Sequence, residues 1–416
     1  MNAADSTLAR DLFDTLTSQK DAMLDLLEAL VRAESPTDVP DAQVEVQRHL
    51  RAALEEQSFV VQSLPVEEYA DPLYARPSNR TQGAPVQLLV GHSDTVWPLG
   101  TIDAMPFEVA GNEVRGPGVF DMKGGLTQMI VALGALDTLG IGPSVTPVVL
   151  INADEEVGSP QSRRHVHRWA RVADRAFVLE PALGTDGRIK TARKGGGHFV
   201  VHIHGKSAHA GLDPESGSSA ILELSHVVQQ LHNLNDPAAG ITVNVGTIGG
   251  GTRPNVVAAE SRAEVDLRVK TSAQAESITN AIRNLEATTP GTTLTIEGGM
   301  RRPPMERTPA SRHLWARAQS AADRLGIGPL QDGRSGGSSD GNLIAQHTPT
   351  LDGMGAVGDG AHARHEFCYV DKMVERSALL ALLLAQPPLS SDANGTPPSE
   401  AAPAADGATT DVNEGS

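Results

Sequence analysis

The sequence predicts an α/β protein with an α+β domain inserted into it, and three observations support this fold class. Short apolar runs end in polar residues, which is typical of buried strands that leave a sheet. Longer stretches with apolar residues at helical spacing separate these runs. From residue 194 the pattern changes to stretches in which apolar and polar residues alternate, separated by helical stretches. Pro303-Pro304 marks the return to the first pattern. We therefore predict a first domain at 1–193 and 308–388, an inserted domain at 194–307 and a tail at 389–416.

The helices of the first domain are predicted from the spacing of apolar residues. Ser6 to Ala33 is expected to form one helix, because Leu12, Leu16 and Met23 recur at helical spacing and Ser35-Pro36 follows as a stop. The stretch from Asp71 to Gln82 contains prolines and arginines and is expected to be a loop. Further helices are expected at about 40–54, 124–139, 311–325 and 371–386.

Three predicted strands of the first domain carry acids or a histidine just beyond their carboxyl ends. In an open α/β sheet, this is where ligands bind. The adjacent acids after the second strand repel one another unless a cation compensates them. The runs and their polar ends are 86–90 with His92 and Asp94, 145–151 with Asp154, Glu155 and Glu156, and 176–179 with Glu180.

The inserted domain has the element order βαββαβ, which is that of a ferredoxin-like unit. Its strands are expected at 198–204, 241–248, 260–269 and 292–296, and its helices at 218–234 and 271–288. The tail at 389–416 contains no aromatic or basic residue and is expected to be disordered.

The composition favours a soluble cytoplasmic protein that binds neither nucleic acid nor membrane. The chain of 416 residues has 51 acidic and 34 basic residues, a net charge of −17, and no run of lysines or arginines. Cys368 is the single cysteine, so neither a disulfide framework nor a thiolate zinc site is available. The first residues include an acid where a signal peptide needs bases, and no apolar run approaches transmembrane length.

Two histidines and three acids are candidate metal ligands. Imidazoles combined with carboxylates suit zinc or a similar ion rather than calcium, which prefers oxygen ligands. One divalent ion would leave surplus negative charge, whereas two ions with a hydroxide come close to neutrality. We therefore expect two Zn²⁺ ions, with Co²⁺ or Mn²⁺ as substitutes. The candidates are His92, Asp121, Glu156, Glu180 and His362, although Asp121 also suits an N-cap of the helix after it.

These motifs, in this order around a ferredoxin-like insertion, resemble the zinc-dependent metallopeptidase family of aminoacylase-1, acetylornithine deacetylase, succinyl-diaminopimelate desuccinylase and bacterial glutamate carboxypeptidases. The resemblance extends from about Val86 to Gln386. It implies a zinc-peptidase-like catalytic domain, with a mixed sheet between helices, and a lid and dimerisation domain at 194–307. The motifs that carry it are 91–96, 118–125, 154–159, Glu180-Pro181, 207–211 and 362–366.

The resemblance also implies a role for each candidate ligand. Asp121 would bridge both ions. His92 and Glu180 would complete one site, while Glu156 and His362 would complete the other. His365 is a rival to His362, but the family's spacing of a histidine and a glutamate four residues later favours His362.

Three further residues receive catalytic roles from the resemblance. Asp94 would orient His92, and Glu155 would be the general base that takes a proton from water. His209 would donate to the developing oxyanion as a lid residue supplied across a homodimer. A structural loop histidine is the alternative for His209.

Two residues of the inserted domain are candidates for substrate binding. The segments 249–257 and 265–269 resemble the glutamate carboxypeptidase branch, in which the residues matching Asn255 and Arg268 hold the terminal carboxylate of the substrate. A guanidinium offers a rigid fork to a carboxylate, and an amide adds a neutral donor. Arg268 alternates with apolar neighbours and so points off the apolar face, although a plain surface arginine is the alternative.

We predict a metal-dependent hydrolase that cleaves an amide bond in a small peptide or acyl-amino acid with a free alpha-carboxylate. The released C-terminal residue is expected to be glutamate-like. The alternatives are an N-acyl-amino-acid deacylase or dipeptidase of the same family, and a catalytically silent binding protein on this scaffold. Glu155 argues against the silent protein, since binding alone needs no general base.

Overall fold

The computed structural model describes residues 3–81 and 83–389. The chain divides into two compact units. The first consists of Met1–Ala192, Arg307–Ser335 and Ser339–Ser416, and the second consists of Arg193–Glu306 and Gly336–Ser338. The tail predicted at 389–416 lies outside the described residues except for Leu389.

The amino-terminal part of the first unit contains six α-helices and eight strands among the residues that the structure describes. A 3₁₀ turn at Pro40–Ala42 precedes the third helix. An irregular turn at Val119–Lys123, whose backbone is non-helical at Asp121 and Met122, precedes the fifth. The elements are α1 (Ala3–Ser18), α2 (Lys20–Arg32), α3 (Gln43–Glu56), β1 (Phe59–Ser63), β2 (Leu73–Pro77), β3 (Val86–His92), α4 (Thr101–Ala104), β4 (Glu108–Ala110), β5 (Glu113–Arg115), α5 (Gly124–Thr138), β6 (Thr146–Asn152), α6 (Arg163–Ala170), β7 (Ala173–Val178) and β8 (Ile189–Arg193).

The second unit has the element order βαββαβ around its own apolar core. Its sheet has the strand order β10-β11-β9-β12, and all three pairings are antiparallel. The buried residues of β9 and β11 alternate with more exposed ones, because one face of the sheet packs on the helices. The elements are β9 (Gly195–His204), α7 (Ala220–His232), β10 (Thr242–Gly250), β11 (Glu260–Val269), α8 (Ser272–Arg283) and β12 (Thr293–Arg302).

The carboxyl-terminal part returns to the first unit and completes it. A capping box formed by Thr308 and Ser311 begins the first of its helices, with Pro309 in the first turn. The elements are α9 (Pro309–Leu325), β13 (Asp332–Ser335), α10 (Asp340–Ile344), β14 (Thr350–Leu351), β15 (Gly358–Asp359), β16 (Phe367–Tyr369) and α11 (Val370–Leu384).

The main sheet of the first unit is mixed and lies between helices. Its strand order is β1-β2-β6-β3-β7-β14. Strands β6, β3, β7 and β14 run parallel, and β1 and β2 are antiparallel additions at one edge. One face buries residues such as Leu89 and Phe177 against α1, α5, α9 and α11, and the other buries residues such as Leu88 and Val148 against α6 and α10. The predicted α/β class with a mixed sheet between helices is therefore confirmed.

Two details of the sequence interpretation are wrong. The expected loop from Asp71 to Gln82 contains β2, whose residues Leu73 and Ala75 are buried because the strand pairs with β1 and β6. Gln82 itself lies outside the described residues. The single helix expected from Ser6 to Ala33 is two helices, because regular helix is interrupted at Gln19 between α1 and α2.

One described helical stretch has the length and apolar composition of a membrane span, whereas the sequence interpretation expected none. It covers Val119–Thr138 and has a mean hydropathy of 1.2, and 89% of its 18-residue apolar window is buried inside the protein. This is the environment of a core helix, since α5 lies beneath the main sheet in contact with α11 and α1.

The start of α5 comes very close to the end of β7. A Cβ atom added at Gly125 would lie 2.0 Å from the backbone oxygen of Leu179. Only a glycine allows this approach, which brings the helix after Asp121 beside the strand end that carries Glu180.

We predict that Gly125→Ala lowers the free energy of unfolding by roughly 1–3 kcal/mol or more, because backbone atoms must shift to admit the methyl group. Urea unfolding of the metal-free protein measures this. Gly142→Ala is the matched control, since a Cβ there would meet nothing within 4 Å. Equal unfolding midpoints for the two variants would show that the close approach is not a constraint.

Candidate metal centre

The parallel strands β6, β3 and β7 bring the predicted polar ends to one edge of the main sheet. Strand β3 lies between the other two, and its last residue, His92, pairs with Asn152 at the end of β6. Glu156 follows β6 by a short loop, and Glu180 follows β7 by two residues. Because parallel strands end at the same edge, residues far apart in sequence meet there.

The first group of candidate ligands consists of His92, Asp121 and Glu180, whose ligand atoms lie within 4.8 Å of one another. His92 Nε2 is 3.3 Å from Asp121 Oδ1 and 3.6 Å from Glu180 Oε1. His92 and Glu180 are buried, and Asp121 is mostly so. This group therefore offers one imidazole and two carboxylates.

The second group consists of Asp121, Glu156 and His362, again within 4.8 Å of one another. His362 Nε2 is 3.5 Å from Asp121 Oδ2 and 3.2 Å from Glu156 Oε2. Asp121 thus belongs to both groups and turns one carboxylate oxygen towards each histidine. His365, the rival candidate, is exposed and belongs to neither group.

The chemistry of these groups fits a pair of divalent ions. Two ligands about 2.0–2.2 Å from a tetrahedral zinc ion lie roughly 3.3–3.6 Å apart. The imidazole nitrogens lie 3.2–3.6 Å from the carboxylate oxygens in the two groups, which is close to this separation. Asp121 Oδ1 and Glu156 Oε1 are buried, and neither accepts a hydrogen bond from any residue that the structure describes. Buried carboxylate oxygens without donors are unusual unless an ion takes that place.

The electrostatics of the cluster point the same way. Burial and the charge of Asp121 raise the pKa of Glu156 to about 7. Hydrogen bonds with Asp121 and Glu156 raise the pKa of His362 to about 11. Burial opposes the charged form of His92, yet the neighbouring carboxylates of Asp121, Asp94 and Glu180 raise its pKa well above the usual value. The carboxylates therefore attract positive charge to this edge of the sheet.

Asp94 contacts both His92 and the acidic loop after β6. His92 Nδ1 is 2.9 Å from the backbone oxygen of Asp94 and 3.5 Å from its carboxylate, so the backbone oxygen is the closer partner. The carboxylate accepts hydrogen bonds from the backbone N–H groups of Glu155 and Glu156, at 3.2 and 3.1 Å. Asp94 thus fixes the backbone from which both glutamates project.

The other three predicted site residues lie in the second unit. His209 Nδ1 accepts hydrogen bonds from the backbone N–H groups of Gly211 and Leu212, so a neutral ring carries its proton on Nε2. Asn255 lies on the adjacent loop, where its backbone oxygen accepts a hydrogen bond from Ala210. The Arg268 guanidinium is half-buried and forms two hydrogen bonds with Asp266, at 2.9 and 3.0 Å.

The sequence interpretation missed residues that hold the acidic loop. Thr37 Oγ1 donates a 2.8 Å hydrogen bond to Asp94 Oδ2, across 57 residues of sequence. The buried Asp340 accepts hydrogen bonds from Asn152 and Ser159, which lie on either side of Glu155 and Glu156. No spacing signal links these residues, although the glycine- and serine-rich stretch before Asp340 marks a segment with close contacts.

Most of the sequence matches a known protein family. Residues 88–386 match peptidase family M20/M25/M40. The chain belongs to this family. The resemblance that the sequence motifs predicted is therefore confirmed, and so is the predicted enzyme class of a metallopeptidase.

Relatives of this M20-family chain cover nearly its whole length. It is 28% identical over 386 residues to carboxypeptidase G2 from Pseudomonas sp. (strain RS-16). The aligned region covers 90% of this chain and 91% of that protein. Aminopeptidase PepT from Bacillus cereus has a similar fold, with a TM-score of 0.72, 22% identity and coverage of 88% and 98%. A dinuclear metal-binding M20 peptidase from Bacillus subtilis has a TM-score of 0.67, 16% identity and coverage of 89% and 98%.

We predict that the metal-free protein binds two zinc ions per chain, as measured by titration and by metal analysis after gel filtration. His92→Ala and His362→Ala should each retain one ion, because each belongs to a single group. Asp121→Ala should retain neither ion tightly, because Asp121 is shared. His365→Ala is the control and should bind two ions. Two tightly bound ions in Asp121→Ala would contradict the shared carboxylate.

Proposed function

We propose that this M20-family chain is an amidohydrolase that releases a C-terminal, glutamate-like amino acid from a small peptide or acyl-amino acid. The observation that carries the proposal is the shared carboxylate of Asp121, which lies between the His92–Glu180 pair and the Glu156–His362 pair. We assign one divalent ion to each group and expect zinc, with cobalt or manganese as substitutes. Such ions, when bound, supply Lewis acidity and a water of lowered pKa.

Glu155 is the proposed general base. It precedes the ligand Glu156, and its backbone N–H donates to Asp94 Oδ1 at 3.2 Å. The same Asp94 carboxylate accepts the N–H of Glu156, so the base and a ligand share one fixed peptide segment. The Glu155 carboxylate takes a proton from the attacking water and passes it to the leaving amine nitrogen.

His209 is the proposed donor to the oxyanion of the tetrahedral intermediate. Two backbone N–H groups occupy its Nδ1 atom, which leaves the ring proton on Nε2 as a donor. Loss of one oxyanion donor typically costs about 10²–10³ in rate. This role rests on the resemblance of the 207–211 segment, as does the proposed homodimer through the 194–307 domain. The exposed apolar side chains of that domain include Ile221, Leu222 and Ile248.

Arg268 and Asn255 are the proposed partners of the terminal carboxylate of the substrate. A guanidinium has five N–H donors, of which Asp266 takes two, so the Arg268 fork is held in a defined orientation. A carboxylate recognised in this way identifies an alpha-amino acid, and the glutamate-like side chain is inferred from the resemblance to the glutamate carboxypeptidase branch. The low cysteine content and acidic charge support a cytoplasmic location.

We predict that Glu155→Gln retains two bound ions but has a kcat about 10²–10⁴-fold lower, because the amide cannot accept the proton. Amino-acid release from a panel of N-acyl amino acids and glutamyl peptides measures the turnover, and metal analysis measures the ions. Glu55→Gln, an exposed acid of α3, is the control and should keep full activity. Full activity in Glu155→Gln would assign the base to another residue.

We predict that Arg268→Ala raises KM by roughly 10–100-fold for substrates with a free alpha-carboxylate, because a charged hydrogen-bond pair is lost. For substrates capped as C-terminal amides, Arg268→Ala should change KM little. Arg262→Ala is the matched control, since Arg262 is exposed on the same strand, β11. An unchanged KM in Arg268→Ala would leave this arginine as a surface residue.

A further inference from the structure

The carboxylate of Glu366 is buried and accepts hydrogen bonds from four N–H donors. Oε1 accepts from the backbone N–H groups of Phe120 and Asp121, both at 3.0 Å. Oε2 accepts from the backbone N–H of Gly118 and from the indole of Trp97, both at 2.9 Å. Three of these donors thus belong to the short segment 118–121, which ends in the shared ligand.

The segment 118–121 needs such an anchor because its backbone is irregular. Gly118 has a φ of +76°, and Asp121 has φ −115° and ψ 99°, which lies outside the helical region. No regular helix or strand therefore provides acceptors for the N–H groups of Phe120 and Asp121, and these groups need a hydrogen-bond acceptor from elsewhere. Glu366 supplies that partner from a part of the chain about 245 residues away.

Glu366 also lies at the end of the turn that carries His362. The backbone N–H of Glu366 bonds to the oxygen of Ala363, and the N–H of Ala363 bonds to the oxygen of Gly360. The His362 backbone has a φ of +60°, so a tight turn rather than a regular element presents this imidazole. One residue thus connects the turn of His362 with the segment of Asp121.

We propose that Glu366 is a positioning residue that sets the shared ligand Asp121 against His362 and so fixes the geometry of both metal groups. It contacts neither substrate nor ion in this proposal and acts through the backbone of 118–121. The inference rests on the proposed function in so far as Asp121 and His362 are metal ligands. Partners that orient ligands in this way typically affect metal affinity by about 10–100-fold.

The test is Glu366→Gln, which keeps the size of the side chain. In either orientation, the amide places an NH₂ group against two N–H donors. We expect the metal-free variant to bind zinc about 10–100-fold more weakly than the wild-type protein, with an altered absorption spectrum of the Co²⁺ form. Titration of zinc against a chromophoric chelator measures the affinity at a temperature at which both metal-free proteins are folded.

Glu223→Gln is the matched control for loss of a buried carboxylate. Glu223 lies in the second unit and accepts hydrogen bonds from the backbone N–H groups of Thr288 and Thr289. This variant should melt at a lower temperature than the wild-type protein, yet bind zinc with the same affinity and show the same Co²⁺ spectrum. Trp97→Phe removes a donor outside the segment 118–121 and should weaken zinc binding less than Glu366→Gln does.

Glu366→Asp provides the second variant and decides the question if Glu366→Gln fails to fold. Its shorter carboxylate keeps the charge but cannot reach both pairs of donors, so we expect an intermediate loss of zinc affinity. A lower melting temperature with unchanged zinc affinity and Co²⁺ spectrum, in whichever Glu366 variant folds, would overturn the proposal and leave a structural role. If wild-type protein binds no zinc, the proposed function fails instead, so the two failures are distinguishable.

Discussion

Three carboxylates, those of Asp121, Glu156 and Glu180, meet in one largely buried volume, and their mutual repulsion is the constraint on which the first unit depends. Like charges at this separation cannot all be ionised without positive charge beside them. Two imidazoles face them, and a pair of divalent ions would complete the balance. Because β6, β3 and β7 are neighbours in the sheet, their ends bring these carboxylates together. The strand order therefore determines the electrostatics of the site.

Much of this arrangement could be predicted because it depends on strong local patterns. The apolar runs of β3, β6 and β7 predict buried parallel strands. The polar residues after these strands indicate the sheet edge at which the candidate metal ligands lie. Strand β2 was not predicted because it contains an arginine and a proline, which are typical of a loop. It is buried because it pairs with β6, and its composition gives no sign of this. Helix α6 escaped because charged residues dominate it, and only Val166 and Ala170 are buried.

The contacts that hold the ligands in place could not be predicted from spacing. Asp94 reaches Glu155 across 61 residues, and Glu366 reaches Phe120 across 246. Such hydrogen bonds depend on how irregular loops fold against one another, and no periodicity records that. The motif of His362 and Glu366 indicated that both residues matter, but it did not reveal that the glutamate bonds to the segment of Asp121.

The sharing of Asp121 between two groups has a consequence for the order in which they arise during synthesis. All three members of the first group have left the ribosome once residue 180 has emerged. The second group must wait for His362, after the whole intervening unit at 193–306 has been made. A growing chain therefore contains the three residues of the first group long before those of the second, but Glu366, which holds the segment of Asp121, emerges only after His362.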